Sequence, residues 1–198
     1  MMLQRSTPLK PSGKLVRCKA PNCANRFVRR SMTHKACSAD CSEALINFEK
    51  AKAAAKVERA QRAITRKQKD AAKPRKQLER EAQEAFNWYV RARDSGRPCI
   101  SCGCTTSPGW HAGHYRAVGS HPELRFDEAN VSLQCSRCNV FLHGNLIEYR
   151  AGLIGRHGLE VVERLEGPNP PLHLAADELR AVRDTYRARA RQLEKAMR

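Results

Sequence analysis

The chain has 198 residues, with 37 Lys and Arg against 20 Asp and Glu and a formal net charge of +17. That length suits one ordinary domain, or a small domain with attached parts. No stretch approaches 18 apolar residues and the first residues carry no apolar run, so neither a membrane span nor a secretory signal is expected. The charge is lopsided: residues 1–80 hold 21 basic and 6 acidic residues, residues 81–198 hold 16 and 14. An excess of this kind favours a polyanionic partner, because neutralising phosphates releases their counterions. A merely solvating tail is the plainer alternative. Nine cysteines in a chain expected in a reducing compartment point to metal ligands before disulfides.

Residues 1–17, with Pro8, Pro11 and Gly13 among scattered basic side chains, are expected to form a disordered basic tail. Cys18, Cys23, Cys37 and Cys41 then follow as C-x4-C-x13-C-x3-C. Two close pairs around a loop are the spacing of a structural zinc site. Such a site would stabilise a segment whose few apolar residues, such as Phe27 and Val28, cannot do so. A small disulfide knot is the competing reading. From Ser42 to Lys73 the composition is strongly helical, with Ser42 as candidate cap. Its apolar residues almost vanish after Phe48, as in a helix that is solvated or laid on a charged partner. Pro74 should break it. A second helix is expected over about 76–95, with Leu78, Ala82, Ala85, Phe86, Tyr89 and Val90 on a core-facing side and Gly96 beyond its end. The remaining helices are expected at about 146–166, interrupted near Gly152 and Gly155, and at 175–196, with Leu179, Val182, Tyr186 and Leu193 on one side. The loop "GPNPP" separates them. The fold class is thus mainly α with small β: a tail (1–17), a four-cysteine module (18–41), a basic helical arm (42–95), a cysteine-framed core (96–150) and a C-terminal helical region (151–198).

The core carries the chemistry. "PCISCG" supplies Cys99 and Cys102, and "QCSRCN" supplies Cys135 and Cys138. Two C-x2-C knuckles are a strong structural zinc signal, and Cys104 is taken as spare. Inside this frame stand His111, His114, Asn130, Asn139 and His143. If Asn139 and His143 lie on a helix, their i, i+4 spacing puts both on one face, within reach of a single ion. A histidine on a facing hairpin could then activate a water beside that ion, which is what phosphodiester hydrolysis requires.

The constellation resembles the HNH, or ββα-metal, nucleases, and its zinc-framed form is similar to phage recombination endonuclease VII. "PCISCG", "AGHYR", "LRFDEANV", "QCSRCN" and "GNLIEYR" resemble the NinG (Rap) recombination proteins of lambda-like phages, as do the first cysteine set and the basic helix after it. The resemblance covers nearly the whole chain. It implies a structure-specific DNA endonuclease that cuts branched DNA, including Holliday junctions, in the cytoplasm of the bacterial host. It implies His114 as general base, Asn130 as brace of the loop carrying the base, and Asn139 and His143 as ligands of a catalytic Mg²⁺ or Mn²⁺, beside two structural Zn²⁺. Many HNH enzymes place an Asp ligand immediately before the base, where this chain has Gly113. His111 shares a strand face with position 113 and is expected to supply the missing ligand, at some cost in Mg²⁺ affinity. A symmetric cut would need two sites and hence a homodimer, and other recombination proteins are expected partners. A non-catalytic zinc protein that binds branched DNA is the second function class left open.

Overall fold

The computed structural model describes residue 13 and residues 15–197, in two compact units that divide between Ala72 and Lys73. In the first unit β1 (Leu15–Arg17) pairs antiparallel with β2 (Arg26–Val28), with Val16 opposite Phe27. Leu15–Arg17 of the tail expected over 1–17 are thus a strand, and residues 1–12 and 14, on which the rest of that expectation falls, lie outside the described residues. Asn22 turns the connecting loop at φ +62, a conformation that Asn tolerates better than most residues. Helix α1 spans Ala39–Ala71. Its cap is Ser38, not Ser42: the Ser38 hydroxyl accepts from the Cys41 amide at 3.2 Å, and Asp40 occupies the first turn, where the helix dipole favours an acid. The helix stops just ahead of Pro74. None of its 33 residues is buried, so α1 stands on composition and solvation rather than on a core of its own.

The second unit contains residues 96–150, but its first element is the second half of the expected arm. Helix α2 (Arg75–Arg93) buries all six residues of its apolar stripe. It packs along α5 (Ala176–Ala196): Leu78 and Ala82 meet Leu179, Phe86 and Val90 cluster with Ala190, and the Trp88 indole donates to Glu194 at 2.6 Å. The contacts advance in the same direction along both helices, so the pair runs parallel. The arm expected as 42–95 is thus split between units, because the apolar stripe that begins at Leu78 belongs to this core.

A β-hairpin lies against α2. Strand β3 (Trp110–His114) pairs antiparallel with β4 (Val131–Cys135), in a register that sets Trp110 against Cys135, Gly113 against Ser132 and His114 against Val131. Asp94, just past the end of α2 and 1% exposed, fixes the hairpin's outer edge. Its carboxylate accepts from Arg93, from Arg156 and from the Leu133 amide at 3.1 Å, and Arg93 also donates to the Val131 carbonyl. After β4 the chain makes a single wide π-type turn, Arg137–Phe141. Helices α3 (Leu146–His157) and α4 (Leu159–Glu166) follow. Their break falls at Gly158, φ +87, instead of at Gly152 or Gly155. Gly152 is spent on close packing: a Cβ there would stand 2.0 Å from the Ile100 carbonyl oxygen. Ile100, Tyr115, Leu124, Tyr149, Leu153, Val162 and Leu165 form the core beneath α3 and α4.

Candidate functional site

Each unit carries one sulfur cluster. The Sγ atoms of Cys18, Cys23, Cys37 and Cys41 all lie within 4.8 Å of one another, in the set expected from spacing. In the second unit the mutually close set is Cys99, Cys102, Cys104 and Cys135. Cys104, expected to be spare, belongs to it because Gly103, at φ +69, folds the loop back until the Cys99 amide reaches the Cys104 carbonyl at 2.9 Å. Cys138 is fully buried against Cys99 and Cys135, and its sulfur accepts from Asn145 at 3.5 Å. A fifth cysteine, Cys138, thus adjoins a set of four, the number that zinc takes. Both clusters can bind zinc, and tetrahedral thiolate ligation suits that ion.

The hairpin between these knuckles holds the histidines. His114 closes β3 and turns toward α2. Its Nε2 lies 3.3 Å from the Arg125 carbonyl oxygen and 3.4 Å from Gln83 Nε2. Burial, opposed by the hydrogen bond to the Arg125 carbonyl and aided by the Arg125 charge, holds its pKa below the ordinary 6.5. Donation from Nε2 to Arg125 leaves Nδ1 as the acceptor.

Asn130 is fully buried and clamps the loop between the strands. Its Oδ1 accepts from the Arg116 amide at 2.8 Å, and its Nδ2 donates to the Arg116 and Leu124 carbonyls at 3.0 and 3.1 Å. Glu128 ties the same loop to the helices, accepting from Tyr89 and from Arg189. The loop that presents the Arg125 carbonyl to His114 is therefore held from inside and outside.

The expected ion ligands are not gathered in the expected way. His111 Nε2 is 3.0 Å from Ser136 Oγ. Asn139 lies in the π-type turn and His143 beyond it, exposed and at φ +48, so the i, i+4 placement on one α-helix is not formed. The turn widens because the Leu142 amide reaches back to Arg137 and the Gly144 amide to Cys138. Asn139 meets a different neighbour. Successive side chains of a strand face opposite ways, so Gly113 faces away from His114, and there a Cβ would stand 2.0 Å from Gln134 Oε1 and 3.0 Å from Asn139 Oδ1. Gln134 and Ser132 are fully buried on this face, and below it Tyr149 donates to the Gly113 carbonyl at 2.8 Å. Nothing in the sequence alone singles out Gln134, Gln83 or Tyr149. The available signal was the alternation of Ser132 and Gln134 in "VSLQC", which reads as a solvent face but is buried.

The chain matches the family model of the Bacteriophage Lambda NinG protein over residues 10–196. It belongs to the NinG family. It is 36% identical to Protein ninG of Salmonella phage P22, over 89% of this chain and 93% of that protein. It is equally similar to Protein ninG of Escherichia phage lambda, over 89% and 92%. Protein ninG of Escherichia phage 933W is 43% identical over 62% of this chain, which spans 61% of that relative's length. No solved structure matches the chain. Among the described residues of this NinG-family member, no helix is long and apolar enough to cross a membrane.

Proposed function

We propose that this chain is a metal-dependent DNA endonuclease of the HNH type that acts on branched DNA, including Holliday junctions, during phage recombination. The observation that carries the reading is the hairpin end: His114 aligned on the Arg125 carbonyl, in a loop that Asn130 clamps at both the amide and the carbonyl of Arg116. That is the support a general base needs, a fixed imidazole with one nitrogen committed and the other open. His114 Nδ1 takes the proton of the attacking water, and the ester bond breaks to leave a 5′-phosphate and a 3′-hydroxyl. Gly113 and His114 end the strand, so a phosphodiester lying across that end meets both faces. Asn139, whose Oδ1 is aimed at the Gly113 face, fits a divalent ion held there. A bound divalent ion supplies charge stabilisation to the phosphoryl oxygens. The exposed, basic α1 supplies phosphate contacts: residues 50–69 carry eight basic side chains and one acid.

The test is an assay of the purified chain on four-way, three-way and linear DNA with Mg²⁺ or Mn²⁺. Metal-dependent cutting of the branched substrates, lost in His114→Ala, is expected. If the parent chain cuts none of them with either ion, the reading fails. One observation favours a second reading, a non-catalytic zinc protein that binds branched DNA: His114 and Asn139 face opposite sides of the hairpin, and no carboxylate stands at position 113.

A further inference from the structure

We infer that Gln134 and Asn139 together form a hard-cation site on the Gly113 face of the hairpin, with the Gln134 carboxamide oxygen taking the place of an acidic side chain at position 113. The role assigned to this site rests on the nuclease reading, but its existence rests on geometry. Gln134 is fully buried, and its amide nitrogen is spent on Ser101 Oγ and on the Gly144 carbonyl, both at 2.7 Å. These two bonds fix which end of the carboxamide faces Gly113. The remaining Oε1 faces Gly113, is buried and has no hydrogen-bond partner among the described residues. A buried acceptor left unpaired is costly, on the order of 1–3 kcal/mol, so its persistence points to a ligand. Asn139 Oδ1 lies on the same face, 3.0 Å from the point a Gly113 Cβ would take, against 2.0 Å for Gln134 Oε1.

Gly113 thereby acquires a reason. Any side chain there would collide with Gln134 Oε1 at 2.0 Å, so an Asp at this position and Gln134 in this rotamer exclude each other. The register explains the exchange: Gly113 pairs with Ser132 and His111 with Gln134, so Gln134 is the diagonal neighbour of Gly113 on the same face and reaches across to it. His111, held by Ser136, is not needed as a ligand. Two neutral carboxamide oxygens suit hard ions such as Mg²⁺ or Mn²⁺ rather than zinc. They leave the ion its full charge and most of its coordination positions, so affinity without DNA should be weak and phosphate oxygens should raise it.

The experiment uses the full-length, zinc-loaded chain and Mn²⁺ as probe, with free Mn²⁺ followed by electron paramagnetic resonance. One weak saturable Mn²⁺ site per chain is expected. Asn139→Ala and Gly113→Ala should each weaken it at least tenfold, Asn139→Asp should tighten it about tenfold, and His111→Ala should leave it unchanged, all with zinc content retained. In the parent chain, trace Mn²⁺ should broaden the Gln134 side-chain amide resonances first, which tests the site without any substitution. Absence of a saturable site, Gln134 resonances that stay sharp, or Asn139→Ala binding like the parent would each overturn the proposal. Binding is read without cleavage, so the two ideas fail separately. A chain that holds Mn²⁺ here but cuts nothing sinks the nuclease reading alone. A chain that cuts branched DNA while Asn139→Ala and Gly113→Ala keep parental Mn²⁺ affinity sinks this site alone.

Discussion

At His114 a single ring nitrogen is committed to a backbone carbonyl while burial holds the imidazole below its ordinary pKa of 6.5. A histidine depressed in this way is neutral at pH 7 and ready to accept a proton. If the chain is the nuclease proposed above, the acid limb of its pH–rate profile is expected below pH 6.5, and His114→Ala should lower cleavage by about 10²–10⁴-fold while zinc content and DNA affinity persist. The same depression has a sign for stability: protonation favours the unfolded chain, so the contribution is present above pH 6.5 and is lost as pH falls below it. The second cysteine cluster yields a different expectation. Cys104 and Cys138 both adjoin the buried Cys99 and Cys135, so either can complete a tetrad. Cys104→Ser and Cys138→Ser should each keep about two zinc ions per chain, whereas the double substitution should leave about one after challenge with a chelator. Elemental analysis decides it, and a drop to one in Cys138→Ser alone would assign Cys138 as the obligatory ligand. Spacing made the first four cysteines legible, because close pairs around a loop have one obvious grouping. It could not rank five, since the ranking depends on the left-handed turn at Gly103.

Between elements, the anchor is Asp94, which joins α2 to the edge of β4. Its carboxylate is nearly buried and answers Arg93, Arg156 and the Leu133 amide together. Removing one partner of such a group leaves buried charge uncompensated, typically at about 3–5 kcal/mol. Asp94→Ala should accordingly lower stability by about that amount in urea unfolding, and an unchanged midpoint would mean that the network is not holding the hairpin. The α2 stripe was legible in the sequence because Leu78, Ala82, Ala85, Phe86, Tyr89 and Val90 recur at helical spacing, and all six are buried. Asp94 was not, because in "ARDSG" it reads as an ordinary polar end to a helix. The break in the 146–166 segment was misplaced for a related reason. Glycines at 152, 155 and 158 look alike in sequence, yet only Gly158 has a positive φ, while Gly152 makes room for the Ile100 carbonyl. The hairpin's candidate base and loop brace could be named from motif alone. The Gly113–Gln134 exchange could not, because a diagonal pair appears only once the register of β3 and β4 is known.

For the whole molecule, the boundary between Ala72 and Lys73 separates a basic unit from the hairpin unit. Residues 1–72 hold 17 basic and 5 acidic side chains, and α1 buries none of its residues. Deleting residues 1–72 should therefore leave the second unit folded, with its cysteine cluster and hairpin intact. If α1 anchors DNA as proposed, binding should weaken and its dependence on salt should flatten, because phosphate contacts set that slope. Preference for branched over linear DNA should change less, since phosphate contacts position a protein without reading structure on their own. Extending the deletion by eight residues should behave differently. Removal of 1–80 takes away Leu78, which is fully buried against Ala82 and Leu179. Loss of one such side chain typically costs about 2–5 kcal/mol, out of about 5–15 kcal/mol for a whole domain, and the first turns of α2 go with it. The shorter deletion should give a cooperative thermal transition, and the longer one a lowered or absent transition. Equal transitions for both would show that α2 does not depend on its first turns. A shorter deletion that binds DNA with the parental affinity and salt slope would move the DNA anchor out of α1 and onto the hairpin unit.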